Sequence, residues 1–166
     1  MGDNMKKILC LIVLLFVIMC TSSCVTVHKK FERVEDVANI ESIEVYFIDW
    51  EEELYLQDIP ESMQPIEILD KDLYEGLIQD LESFDFKSKL LIFAASDPNW
   101  DIYGFVFKII YSSGAYQVVS NCGTVYTYNS KEQSKAFHGV VSKETWNEFV
   151  KKYIGEETFE QYKLPF

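Results

Sequence analysis

Cys122 and His138 are the one pair in this chain that could supply a thiol nucleophile and its base. A thiolate attacks an electrophilic carbon while an imidazole takes the proton. The alternation of the neighbouring strand, however, puts Cys122 on the same face as Phe105 and Phe107, where a free cysteine acts as a small buried hydrophobe. A second candidate is Asp97-Pro98-Asn99-Trp100-Asp101, which sets an indole between two carboxylates on a loop. Paired carboxylates beside a stacking ring suit glycoside chemistry or sugar binding; the plainer alternative is a turn anchored by Trp100. A third is the acidic run of Asp49, Glu51, Glu52, Glu53 and Asp58. Its oxygens could hold calcium, but the regular Asp/Asn and Gly spacing of a calcium loop is missing, and a solvated acidic loop fits better. No catalytic residue, metal site or cofactor is therefore assigned.

The most specific signal lies at the N-terminus. Met5-Lys6-Lys7 opens a run of 13 apolar residues, Ile8 to Cys20, which ends in Thr21-Ser22-Ser23-Cys24. A positive start, a short apolar stretch and small residues before a boundary mark a secretory signal. This segment resembles the signal of bacterial lipoproteins, in which small residues precede an obligatory cysteine. Ser22 and Ser23 match the small positions, while Thr21 departs from the usual aliphatic residue. The resemblance implies cleavage before Cys24, a diacylglycerol on its sulfur, and a place on the extracytoplasmic side of a cell membrane or outer membrane. An uncleaved membrane helix is the alternative. Thirteen residues rise about 20 Å, short of a roughly 30 Å hydrocarbon core, but extension to Val27 would suffice. N-myristoylation does not fit, because Lys6 stands where Ser or Thr is needed after Met1-Gly2.

The organisation expected is a signal over 1–23, lipid attachment and a tether over 24–39, and one globular domain over 40–166. A composition of 48% hydrophobic and 15% aromatic residues can fill the core of such a domain. The net charge of −12 repels phosphate backbones and excludes nucleic acid as a partner. It repels anionic headgroups as well, so an anchor would be needed to hold the domain at a bilayer. Only Cys122 among the four cysteines lies beyond residue 24, so a disulfide framework is excluded. In the tether, His28, Lys29, Lys30 and Arg33 form a basic collar, either simply solvated or touching headgroups.

The elements that must position these residues follow from periodicity. Ile40 to Trp50 alternates as a half-buried strand, and Ile66 to Leu69 reads as a short one. Asp70 can cap a helix with a Leu73, Leu77, Leu81 and Phe84 stripe. Lys89 to Ala94 and Ile102 to Ser112 read as strands, the second turning back through a two-residue Ser113-Gly114 loop. That loop pairs Tyr111 with Tyr116, Ile109 with Val118 and Phe105 with Cys122. A second turn at Cys122-Gly123 sets Tyr126 opposite Val119 and Tyr128 opposite Gln117. Ser142 caps a final helix bearing Trp146, Phe149, Val150 and Tyr153, stopped by Gly155 and followed by a short helix from Glu156. The order predicts an α+β fold, an antiparallel meandering sheet with two amphipathic helices packed on one face.

On this reading Tyr126, Tyr128, Lys108 and Ile110 share the sheet face away from Phe105. Tyrosine there offers rigid amphipathic contact area. The leading expectation is a non-enzymatic, membrane-held binding module for a protein or peptidic partner, attached to membrane lipid through Cys24. The alternatives are a surface hydrolase acting on wall or glycan material through Asp97, Trp100 and Asp101, and a structural envelope protein.

Overall fold

The computed structural model describes residues 24–48, 59, 62–91, 104–129, 132–133 and 139–162. The strands are β1 (Cys24–Lys29), β2 (Ile40–Ile48), β3 (Glu67–Ile68), β4 (Phe86–Leu91), β5 (Gly104–Tyr111), β6 (Tyr116–Ser120), β7 (Gly123–Asn129) and β8 (Glu132–Gln133). The helices are α1 (Tyr74–Ser83), α2 (Lys143–Ile154) and α3 (Glu156–Tyr162). Strands β3-β2-β5-β6-β7-β8 form an antiparallel sheet in that order, and β1 pairs with β4 in a separate ribbon. The fold is α+β.

Alternation along β2 and β5 sorts side chains between two faces. Ile43 and Val45 lie opposite Ile109 and Phe107 on the face that both long helices cover. Helix α1 contributes Tyr74, Leu77, Ile78 and Leu81, and α2 contributes Trp146, Phe149, Val150, Tyr153 and Ile154. The α2 stripe is the one expected. The α1 stripe is rotated: Leu73 falls in a 3-10 turn and is exposed, while Tyr74 and Ile78 take the core positions. Asp70 begins that turn but its side chain caps nothing; its carbonyl accepts from the Leu73 N–H. Ser142 does cap α2, its hydroxyl accepting from the Thr145 N–H at 3.2 Å, and Gly155 stops it at φ +80°.

Aromatic rings dominate this core. Phe149 lies 5.1–5.2 Å from Phe84, Trp146, Tyr153 and Phe107. Beyond the last β5–β6 pair, Phe107–Val119, the Phe105 carbonyl takes a hydrogen bond from Trp146 Nε1 at 3.2 Å, which fixes α2 along the sheet. The two helices are also joined at their polar edge, where Asp80 accepts from Lys152 at 2.6 Å and from the Tyr153 hydroxyl at 2.7 Å.

The segment 139–141 crosses between the two sheets. Val140 exchanges both backbone hydrogen bonds with Lys87, while Gly139 and Val141 donate to the carbonyls of Cys122 and Asn121. A Cβ at Gly139 would lie 2.8 Å from Phe86 Cβ and 3.0 Å from its carbonyl carbon, so only glycine fits. At Gly76, in α1, a Cβ would make an ordinary 3.5 Å contact with the Tyr153 hydroxyl. Gly139→Ala should therefore cost about 1–3 kcal/mol through overpacking against backbone. Gly76→Ala should add about 0.5–1 kcal/mol through helix propensity. Urea midpoints at constant m-value check both.

A pH dependence follows from Asp80. Burial alone would push its carboxyl up, but the hydrogen bonds from Lys152 and Tyr153 prevail and hold it below its ordinary value. A depressed carboxylate adds stability that is present at neutral pH and lost as pH falls through the folded pKa. The urea midpoint should thus drop below about pH 4, and Asp80→Asn should show a shallower drop from a lower starting point.

Candidate functional site

The β5–β6 turn decides what each sheet face carries. Its loop is Ser112-Ser113-Gly114, closed by Gly114 N–H to Tyr111 O and Tyr111 N–H to Ala115 O, each 2.8 Å. Gly114 sits at φ +84°. A two-residue Ser113-Gly114 loop would have required a positive φ at Ser113, whereas three residues let the left-handed position fall on glycine. The expected pairs are therefore corrected by one residue: Ile109 faces Gln117, Lys108 faces Val118 and Ile110 faces Tyr116. The second turn is Asn121-Cys122, with Gly123 at φ +95° pairing with Ser120. That turn alone would set Tyr126 opposite Gln117, but a bulge between Val118 and Val119 leaves Tyr126 opposite Val118 and Tyr128 opposite Tyr116, not opposite Val119 and Gln117. The two shifts cancel, so β7 keeps the expected face while β6 is inverted.

One consequence is Gln117, which a two-residue turn would set on the outer face and which is instead only 2% exposed in the helix-covered core. Two of its hydrogen bonds tie down the chain before β2. The side-chain carbonyl accepts from the Tyr111 hydroxyl at 2.8 Å and from the Val34 N–H at 3.1 Å. The amide donates to the Glu32 carbonyl at 2.9 Å. Burial pushes the Tyr111 hydroxyl up to about 12, so it remains a donor. Phe31 is buried in the main core beside these groups, and Val34 and Val37 pack against it.

The stretch 24–39 is thus a strand, a docked extended segment and a 3-10 turn, not a loose tether. Its cations are largely engaged. His28 Nδ1 lies 2.8 and 2.9 Å from the two oxygens of Asp85, and this contact holds the Asp85 carboxyl below its ordinary value. Lys30 donates to the Ser83 carbonyl at 3.0 Å, where the α1 dipole is negative. Arg33 Nε lies 3.4 Å from Glu82, and Ser113 donates to Glu35. Exposed pairs of this kind add little stability each; together they define where the segment lies.

The outer face has a covered half and an open half. Tyr46, Ile48, Val106 and Val118 are buried under Ile59, with Met63 packed against them. Toward the β5–β6 turn, Lys108, Ile110, Tyr116 and Tyr128 are half-exposed. The Tyr116 and Tyr128 rings stack at 5.2 Å and 19°, and Lys108 Nζ lies 4.7 Å from the Tyr116 centroid. Glu44 pairs with Lys108 across β2 and β5 and accepts from the Tyr46 hydroxyl at 2.5 Å. The open half therefore offers two rings edged by one cation and one carboxylate. Tyr116 was missed because the register slip put it on the core face.

Cys122 sits half-buried in the turn rather than in the core, its Sγ 3.7 Å from Asn121 Oδ1. Burial pushes its thiol up, which disfavours a thiolate nucleophile. His138, the loop residues Asp97, Trp100 and Asp101, and the acidic run of 49–58 lie outside the described residues. Among the described residues no cluster of three or more His, Cys, Asp or Glu could hold a metal ion, and no helix is long and apolar enough to cross a membrane. Compared with protein-family models, curated proteins and solved structures, the chain matches none.

Replacing Gln117 by Leu leaves the Val34 N–H, the Glu32 carbonyl and the Tyr111 hydroxyl without their buried partner. The expected loss is at least about 2 kcal/mol, against about 1 kcal/mol for Tyr111→Phe. Hydrogen exchange at Val34 should accelerate by more than global unfolding accounts for in Gln117→Leu, which marks release of the N-terminal segment.

Proposed function

We propose that this chain is a lipid-anchored, extracytoplasmic interaction module, held by Cys24 and contacting a protein or peptidic partner through the open half of its outer sheet face. The observation that carries the contact surface is the half-exposed Tyr116–Tyr128 stack with Lys108 above it. Stacked tyrosines present apolar area already ordered before binding, so little side-chain entropy is lost on contact. The Lys108 and Glu44 edge adds direction, since a misaligned partner would leave a charge unmatched. Support for the anchor comes from the leader, in which the small residues Ser22 and Ser23 precede Cys24.

Two measurements test the proposal. Mass spectrometry of the mature protein should find residues 24–166 with acyl chains on Cys24; an unmodified Cys24 or an intact Met1 refutes the anchor. A photo-crosslinking residue at position 128 in the full chain, irradiated in intact cells, should give a discrete larger adduct, and one at Leu73, exposed beside α1, should not. Adducts at both positions, or at neither, refute the contact face.

A further inference from the structure

The open half of the outer sheet face is complementary to itself when its strand order is reversed. Opposite residues of an antiparallel ladder share a face. One row therefore runs from Ile68 on β3 through Glu44 on β2 and Lys108 on β5 to Val118 on β6. The next row carries Ile110, Tyr116 and Tyr128 on β5, β6 and β7. From β3 to β6 the chemistry is thus apolar, negative, positive, apolar. Ile68 is 57% exposed, the most exposed large apolar side chain among the described residues. Lys108 and Glu44 stand opposite each other, yet each is turned elsewhere. Lys108 Nζ lies 4.7 Å from the Tyr116 centroid, and the Glu44 carboxylate takes the Tyr46 hydroxyl at 2.5 Å. Among the described residues neither charge is held in an ion pair. Both are half-exposed and open to a counter-charge from above the sheet.

We infer that the partner of this face is a second copy of the chain, packed face to face about a two-fold axis parallel to the strands between β2 and β5. The inference rests on the contact-face reading above and names its occupant. Such an axis reverses the strand order, laying β2 over the partner's β5 and β3 over the partner's β6. Glu44 then meets the partner's Lys108, and Ile68 meets the partner's Tyr116. The same operation makes each contact twice. A foreign partner would have to carry the two opposed charges at the strand spacing of about 4.8 Å; a second copy has them by symmetry. Each copy carries −12, but exposed charges more than about 8 Å apart are largely screened at physiological ionic strength. The facing residues therefore decide the contact.

Exchange of the two charges tests the pairing. The full chain is purified in mild detergent and followed by sedimentation equilibrium at matched solvent density. Wild type should show a monomer–dimer equilibrium. Lys108→Glu sets carboxylate against carboxylate at both contacts, and Glu44→Lys sets ammonium against ammonium. Each should raise the dimer Kd at least about ten-fold, since facing like charges oppose association. The double exchange restores opposite charges and should return the Kd to within about three-fold of wild type. A monomeric wild type, single variants that dimerise normally, or a double exchange no tighter than the singles overturns the two-fold pairing. The contact face is read separately, from the adduct formed at position 128 in cells. An adduct of two copies supports the pairing; one of any other mass overturns it while the face stands, and no adduct overturns both.

Discussion

The left-handed backbone at Gly114 decides which side of β6 meets the helices, and much else follows from that choice. Because side chains alternate with period two, a slip of one residue exchanges the two faces of a strand completely. With the turn at Ser112-Ser113-Gly114, Val119 and Gln117 enter the core while Val118 and Tyr116 go outward. The opposite choice would bury Tyr116 beneath the helices and leave Gln117 in solvent. The segment at Glu32 and Val34 would then lose the side chain that binds it.

That binding makes the N-terminal stretch part of the domain. An extended segment lying on a core exposes backbone groups that need partners once water is excluded. Gln117 provides for two of them and for the Tyr111 hydroxyl with a single side chain, while Phe31 contributes the apolar burial. The charged contacts of His28, Lys30 and Arg33 with the end of α1 then aim the chain toward β4. A buried amide, a phenylalanine and three exposed pairs thus turn what reads as a linker into the first strand of a ribbon. Cys24 is consequently joined to the core by continuous structure, and an acyl group on it would restrain the whole domain.

What was legible in the sequence was what periodicity encodes locally. The α2 stripe of Trp146, Phe149, Val150 and Tyr153, its Ser142 cap and its Gly155 stop are all set by residues within one helix. The two faces of β2 and β5 are likewise visible in the alternation of Ile43, Val45, Phe105 and Phe107. Register was not legible, because it depends on whether a turn holds two residues or three, and Ser113-Gly114 fits both on composition. The face of Tyr128 came out right through two compensating shifts, which makes it a coincidence of parity. The role of 24–39 was hidden for another reason: its partners, Gln117, Asp85 and Glu82, are 49 to 85 residues away and make no local pattern. Gly139 carried no signal either, since the demand for glycine there comes from Phe86 across the ribbon.

Net charge is a poor guide to how such a molecule meets a surface. At physiological ionic strength the field of an exposed charge decays over about 8 Å. Within that distance Glu44 faces Lys108 across β2 and β5, and Asp85 faces His28. Expecting repulsion from total charge treats the protein as a uniform sphere. The folded chain is instead locally matched, with His28, Lys30 and Arg33 each met by a carboxylate or a carbonyl at the end of α1.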